Sequence, residues 1–186
     1  MSTNEILDTA RKNMQKSFEH YSSQISKVRT GRATASILDD VTVEYYGSPT
    51  QLSQTANISV PDARSIVINP YDKSILNNIE KAIQQADLGF NPQNDGNIIR
   101  INVPPLTEER RKEFVKLTKK YAEEGKVAIR NLRRDYMENL KKAEKAKEIS
   151  EDEKKKADDQ LQKLTDEFIG KIDKVVADKE KELLDN

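Results

Sequence analysis

The sequence predicts an α+β fold in two parts, a long antiparallel three-helix bundle and a small β/α/β domain inserted into it. Three observations carry this. Stretches 3–30, 108–148 and 150–184 each place apolar residues at steps of three and four, which is one face of a helix. Between 39 and 103 the apolar period drops to two, the spacing of strands. The last two helices are separated only at 148–150, a connection short enough to make them antiparallel neighbours. The bundle is therefore expected from 1–30 and 105–186, with 31–104 as the insert.

In the first helix Ser2 or Thr3 is available as a cap. Leu7, Ala10, Met14, Phe18, Tyr21, Ile25 and Val28 form its apolar stripe, and Gly31 offers a stop. The insert opens with Val41, Val43 and Tyr45 alternating with Thr42 and Glu44, followed by a turn at Tyr46-Gly47-Ser48-Pro49. Further strands are expected at 56–60, 65–69 and 98–103, and a short helix capped by Ser74 carries Ile75, Leu76, Ile79, Ala82, Ile83 and Ala86. Residues 91–97 read as a turn cluster. Pro104-Pro105 closes the insert, because paired prolines extend neither a strand ladder nor a helix backwards.

The central helix starts at Thr107, a cap, with Glu108 and Glu109 in its positive first turn. Its stripe is Phe114, Leu117, Tyr121, Ala128, Leu132, Tyr136 and Leu140, widened by Val115, Ala122 and Ile129. At 1.5 Å per residue it is ~60 Å long, more than one globular core needs, so the rest of the chain must pair with it. Ser150 and Glu153 form a capping box for the last helix, whose stripe is Leu161, Leu164, Phe168, Ile172, Val175 and Val176.

Composition fits long helices with a narrow seam. The chain is 35% hydrophobic and 34% charged, against roughly 45–50% and 25% in average domains. Cysteine is absent, so disulfides, a thiol nucleophile and thiolate metal ligands are excluded. No phosphate-cradling Gly-rich loop and no nucleophile beside a base occurs, so an enzyme is not expected, nor a cofactor. Acid pairs such as Glu123-Glu124 and Asp158-Asp159 read as helix-face charge. His20, the only histidine, reads as a solvated helix residue rather than a metal ligand. No signal-peptide core and no apolar run of about 18 residues is visible, so the cytoplasm is expected and a membrane is not.

The net charge of zero hides a polarised chain. Residues 1–38 carry six Lys/Arg against three Asp/Glu, and 106–148 carry fourteen against nine. Segment 39–105 has four against eight, and 149–186 has eight against twelve. Lys126, Arg130, Arg133 and Arg134 stand together on the central helix with no acid among them and Asp135 next in sequence. Helix spacing is expected to turn the three guanidiniums to one side, with the Arg133 head exposed. Arginine forks match phosphate, so the group is a candidate RNA contact. Arg29 and Arg32 flank Gly31 and suit either RNA contact or a helix C-terminus; Arg110 and Arg111 oppose their helix dipole and suit a phosphate or an acidic neighbour. The residues thus point to a non-enzymatic binding protein, whose cation group suits either a solvated helix face or a phosphate contact. A coiled-coil scaffold or holdase gripping a protein partner is the rival class.

Five segments, in order and across nearly the whole chain, closely resemble the bacterial ribosome recycling factor family. They are Ile25-Ser26-Lys27-Val28-Arg29-Thr30-Gly31-Arg32, Val43-Glu44-Tyr45-Tyr46-Gly47, Pro104-Pro105-Leu106-Thr107-Glu108-Glu109-Arg110-Arg111, Val127-Ala128-Ile129-Arg130-Asn131-Leu132-Arg133-Arg134-Asp135 and Ile149-Ser150-Glu151-Asp152-Glu153. Tyr136-Met137-Glu138 departs from the smaller, more polar residues expected after the arginine pair. The resemblance implies an L-shaped, two-domain monomer hinged at Thr30, Gly31, Val103, Pro104 and Pro105. It implies binding in the intersubunit space of the post-termination ribosome, with the bundle on large-subunit ribosomal RNA. Subunit splitting with elongation factor G and GTP would follow.

Overall fold

The computed structural model describes residues 2–185. The chain divides into two compact units, one formed by residues up to Val28 together with Arg111–Asp185, the other by Arg29–Arg110.

The first unit is a three-helix bundle of α1 (Thr3–Ser26), α4 (Glu108–Lys145, from Arg111 onward) and α5 (Glu151–Leu184). Ser2 and Glu5 cap α1 reciprocally, and Ser150 and Glu153 do the same for α5. Thr107 Oγ1 accepts from the Arg110 amide at the head of α4. Cross-helix pairs fix direction. Arg11 meets Glu167 and Ser26 meets Lys179, so α1 and α5 run parallel. Lys119 meets Glu180 and Arg133 meets Gln162, while Asn13 meets Tyr136, so α4 runs against both.

Two helices end earlier than their periodicity suggests. α1 stops at Ser26 rather than at 30, with Lys27 as its C-cap; Val28 turns inward and is buried. α4 stops at Lys145 rather than 148. The Glu148 amide reaches the Ala143 carbonyl and the Lys147 amide the Glu144 carbonyl, with Lys147 at φ +55. That is a Schellman closure made without the glycine that would have announced it.

The seam on α4 keeps Ala122, Ile129, Tyr136 and Leu140 of the expected stripe but adds Thr118, Gly125 and Ala143. Phe114, Leu117, Tyr121 and Ala128 are half-buried, and the buried line is Thr118, Ala122, Gly125, Ile129, Tyr136, Leu140 and Ala143. Small residues fit where the neighbouring helices crowd α4. A Cβ on Gly125 would lie 3.1 Å from the Tyr21 Cβ and 3.2 Å from the Ile172 Cδ1. Thr118 is tolerated inside because its hydroxyl bonds the Phe114 carbonyl one turn back, at 2.8 Å. On α1, Ile6 occupies the seam position expected of Leu7, which packs at its edge.

The second unit holds a two-stranded sheet, β1 (Thr42–Tyr45) with β2 (Ser48–Gln51), and a four-stranded antiparallel sheet. The latter has the order β3 (Ala56–Asp62), β4 (Ser65–Pro70), β6 (Ile99–Asn102), β5 (Pro92–Asn94). The single turn α2 (Leu52–Thr55) joins the sheets, and α3 (Leu76–Gln85) covers the core. Ile66, Ile68, Ile99 and Ile101 point inward with Ile79 and Ile83, all fully buried, while Arg100 and Asn102 face solvent from the same strands.

Three local expectations change here. Ser48-Pro49 belongs to β2, so the hairpin turn is Tyr46-Gly47 alone, both at positive φ. Pro92 opens edge strand β5 inside the supposed turn cluster, where a missing amide donor costs no ladder bond. Asp72, not Ser74, is the capping residue, and it caps the 3-10 turn Lys73–Ile75 that leads into α3 by accepting from the Ser74 amide and hydroxyl, while Ile75 at the N-cap of α3 makes no side-chain bond.

Candidate nucleic-acid interface

The four cations at the centre of α4 do not share one side. Lys126 pairs with Asp173 of α5, and Arg133 is half-buried, its Nη1 donating to Gln162 Oε1 at 3.0 Å. The Arg133 Nε is buried and has no hydrogen-bond partner among the described residues. Arg133 is therefore not the exposed head its spacing suggested. It stands seven residues after Lys126, about two helical turns, so both border the α5 seam. Arg130 is exposed, with Glu123 Oε1 at 3.5 Å. Arg134 is exposed and makes no ion pair among the described residues.

Asp135 is thus not the main neutralising acid. Asp173 comes from a helix about 40 residues away in sequence, and Glu123 from two turns earlier on α4. What stays open is an outward face carrying Arg130 and Arg134, one turn apart. Exposed Lys116 and Lys141 continue it, about five turns before and two turns after Arg134. Those two lysines were legible as multiples of the helical repeat, a signal that attention to the arginine cluster alone passes over.

The remaining candidates scatter. Arg111 is half-buried in the first unit, with its Nε buried and unpartnered among the described residues. Arg110 and Arg32 are exposed in the second unit. Arg29 lies with its guanidinium 5.8 Å from the Phe90 ring centroid. At the expected hinge, Thr30 is buried and Gly31 has φ +80. A Cβ on Gly31 would meet the Leu106 Cγ at 3.0 Å, so the two connecting segments touch there. The Val103 amide bonds the Arg64 carbonyl at 2.7 Å, and Pro104 and Pro105 are exposed. Among the described residues, no group of three His, Cys, Asp or Glu could hold a metal, and no helix is long and apolar enough to cross a membrane.

The family profile described as "Ribosome recycling factor" matches residues 21–184. The chain belongs to the ribosome recycling factor family. It is 56% identical to the ribosome-recycling factor of Bacillus licheniformis, with all of both chains covered. It is 55% identical to that of Bacillus subtilis, covering 97% of this chain and 98% of the relative. A solution structure of a ribosome recycling factor superposes with TM-score 0.83 at 44% identity, covering 100% of this chain and 99% of the other. A second family member, from T. thermophilus, matches with TM-score 0.69 at 47% identity, covering 99% of this chain and 100% of that one. It is described with E. coli elongation factor G as bound to the E. coli post-termination complex. These matches carry the resemblance seen in five motifs to the whole chain, and they support the two-part α+β fold.

Proposed function

We propose that this family member binds the post-termination ribosome through large-subunit ribosomal RNA in the intersubunit space. With elongation factor G and GTP, it then promotes separation of the subunits. The observation that carries this is the end-to-end match to the T. thermophilus protein described in that complex. On this reading the chain works in the cytoplasm as a monomer, without cofactor, and catalyses nothing itself; nucleotide hydrolysis belongs to the partner.

The α4 face of Arg130 and Arg134 is the part of the bundle suited to phosphate. Both heads reach solvent, and among the described residues only Arg130 makes an ion pair. Lys126 and Arg133 sit at the edge of this face and help shape its field, while Arg111 in the bundle and Arg110, Arg29 and Arg32 in the second unit remain further candidate RNA contacts. Thr30-Gly31 and Val103-Pro104-Pro105 serve as the pivot, since a few φ/ψ changes there suffice to move one unit against the other. The scaffold or holdase alternative has no observation in its favour.

Co-sedimentation with ribosomes across a salt series tests this. Arg130→Ala with Arg134→Ala should lower affinity at least tenfold, since charge-assisted hydrogen bonds contribute about 1.5–3 kcal/mol each. The log-log salt slope should flatten as fewer counterions are displaced. Unchanged affinity and slope in the double variant would remove this face from the contact.

A further inference from the structure

The second unit carries a concavity that the bundle contact leaves unused. It has a volume of about 330 Å³ and is walled by Arg64, Phe90, Asn91, Gln93, Asn102 and Val103. That is the small end of the range for ligand sites. No carboxylate lines it, although residues 39–105 hold twice as many acids as bases. Arg64 is anchored, its Nη1 donating to the Gly31 carbonyl at 2.8 Å, which engages one of five N–H donors. Arg29 overlies Phe90 and makes no ion pair among the described residues. Gly89, at φ +85, permits that approach, because a Cβ there would lie 3.2 Å from the Arg29 Nη1.

One open hollow therefore gathers an aromatic ring, one guanidinium and three side-chain amides, with the Arg29 guanidinium beside the ring at 5.8 Å from its centroid. Each matches a part of an unpaired nucleotide. A ring or guanidinium plane stacks on the base, amides bond its edges, and a guanidinium takes its phosphate. A basic peptide would find no counter-charge here, and the surrounding acidity makes a cationic, carboxylate-free hollow stand out as a site for an anion with a flat face. We propose that this hollow is a single-nucleotide RNA site, in which an unpaired base stacks on Phe90 and its phosphate is held by Arg29 and Arg64. As a ribosomal contact it rests on the proposed function, and it adds a second RNA site remote in sequence from the α4 face.

The chain has no tryptophan, so Phe90→Trp places a single reporter in the hollow. Its fluorescence should be quenched when full-length protein binds ribosomes. Phe90→Leu should weaken ribosome binding about fivefold or more, the loss of one stacked base, while Phe90→Tyr keeps the ring and the affinity. Circular dichroism verifies that each variant is folded. A photo-crosslinking amino acid placed at Gln93 should label RNA on the ribosome. Crosslinks to protein alone, or wild-type affinity in folded Phe90→Leu, overturn the proposal. If that happens while Arg130→Ala with Arg134→Ala still loses binding, only the hollow is lost and the broader function stands. If the wild-type chain fails to bind ribosomes at all, the function fails instead. The hollow is then judged by titrating Phe90→Trp with a single-stranded RNA hexamer, where quenching retains it and no quenching rejects it.

Discussion

Arg133 and Tyr136 are one turn apart on α4, and both have partners that local sequence could not name. Arg133 packs toward α5 and bonds Gln162, so Arg133→Ala should cost about 1 kcal/mol in urea unfolding, from the lost bond and stem packing. Arg134→Ala, on the open face, should stay within about 0.5 kcal/mol. Equal costs for the two would mean that the Gln162 contact contributes nothing. Tyr136 is 9% exposed, and its hydroxyl accepts from Asn13 Nδ2 of α1. Tyr136→Phe leaves that amide unpaired and should cost about 1 kcal/mol. In a double-mutant cycle with Asn13→Ala, additive losses would show that the pair is not coupled.

Helix α4 leaves no room for a side chain at Gly125, where propensity and packing oppose each other. Alanine there would gain about 1 kcal/mol of helix propensity but would push into Tyr21 and Ile172, an overpacking cost of about 1–3 kcal/mol. Gly125→Ala should therefore lower the melting temperature. Gly170→Ala, on α5 with nothing within 4 Å of the added Cβ, should raise it. A rise in both would show that the bundle yields at Gly125.

The end of α1 poses a different question. Its last turn contains no base of its own, and Lys179 of α5, 8% exposed, supplies one by donating to the Ser26 carbonyl at 3.0 Å. Burial holds the Lys179 pKa below its ordinary 10.5, against the opposing pull of Glu182. Between the lowered folded value and 10.5, the unfolded chain binds more protons, so stability from this group rises with pH through that window. Wild type should gain on Lys179→Met as pH rises toward 10.5. Parallel stability curves for the two proteins would refute this.

At the scale of the molecule and among the described residues, the bundle core draws on α1, α4, α5 and the link before α5, and the second core on residues of the insert. Joining residues 1–30 to 105–186 through a Gly/Ser linker should therefore give a cooperatively folding, largely helical protein. Circular dichroism showing an unfolded chain would mean that the insert is needed to close the bundle.

Sequence by itself determined the three helices, the switch to strands between them, and the family. Period, caps and turn chemistry are local properties: Ser150 and Glu153 cap α5 whatever lies beyond it, and alternation at Val41 and Val43 marks a buried strand face in any sheet. Which residues form the α4 seam was not local. Thr118 and Gly125 are ordinary in a one-helix pattern and join the core only because α1 and α5 approach there. The cationic cluster was divided in the same way. Four bases within nine residues look like one surface, but Asp173 and Gln162, both on α5, draw Lys126 and Arg133 to the bundle edge and leave Arg130 and Arg134 outward. The Phe90 hollow lay further still from sequence reasoning, because Arg29, Arg64, Phe90 and Asn102 are separate in the chain and meet only when the sheet is folded. Tertiary structure alone decides which side chains share a surface, since that depends on how elements pack rather than on the period within any one of them.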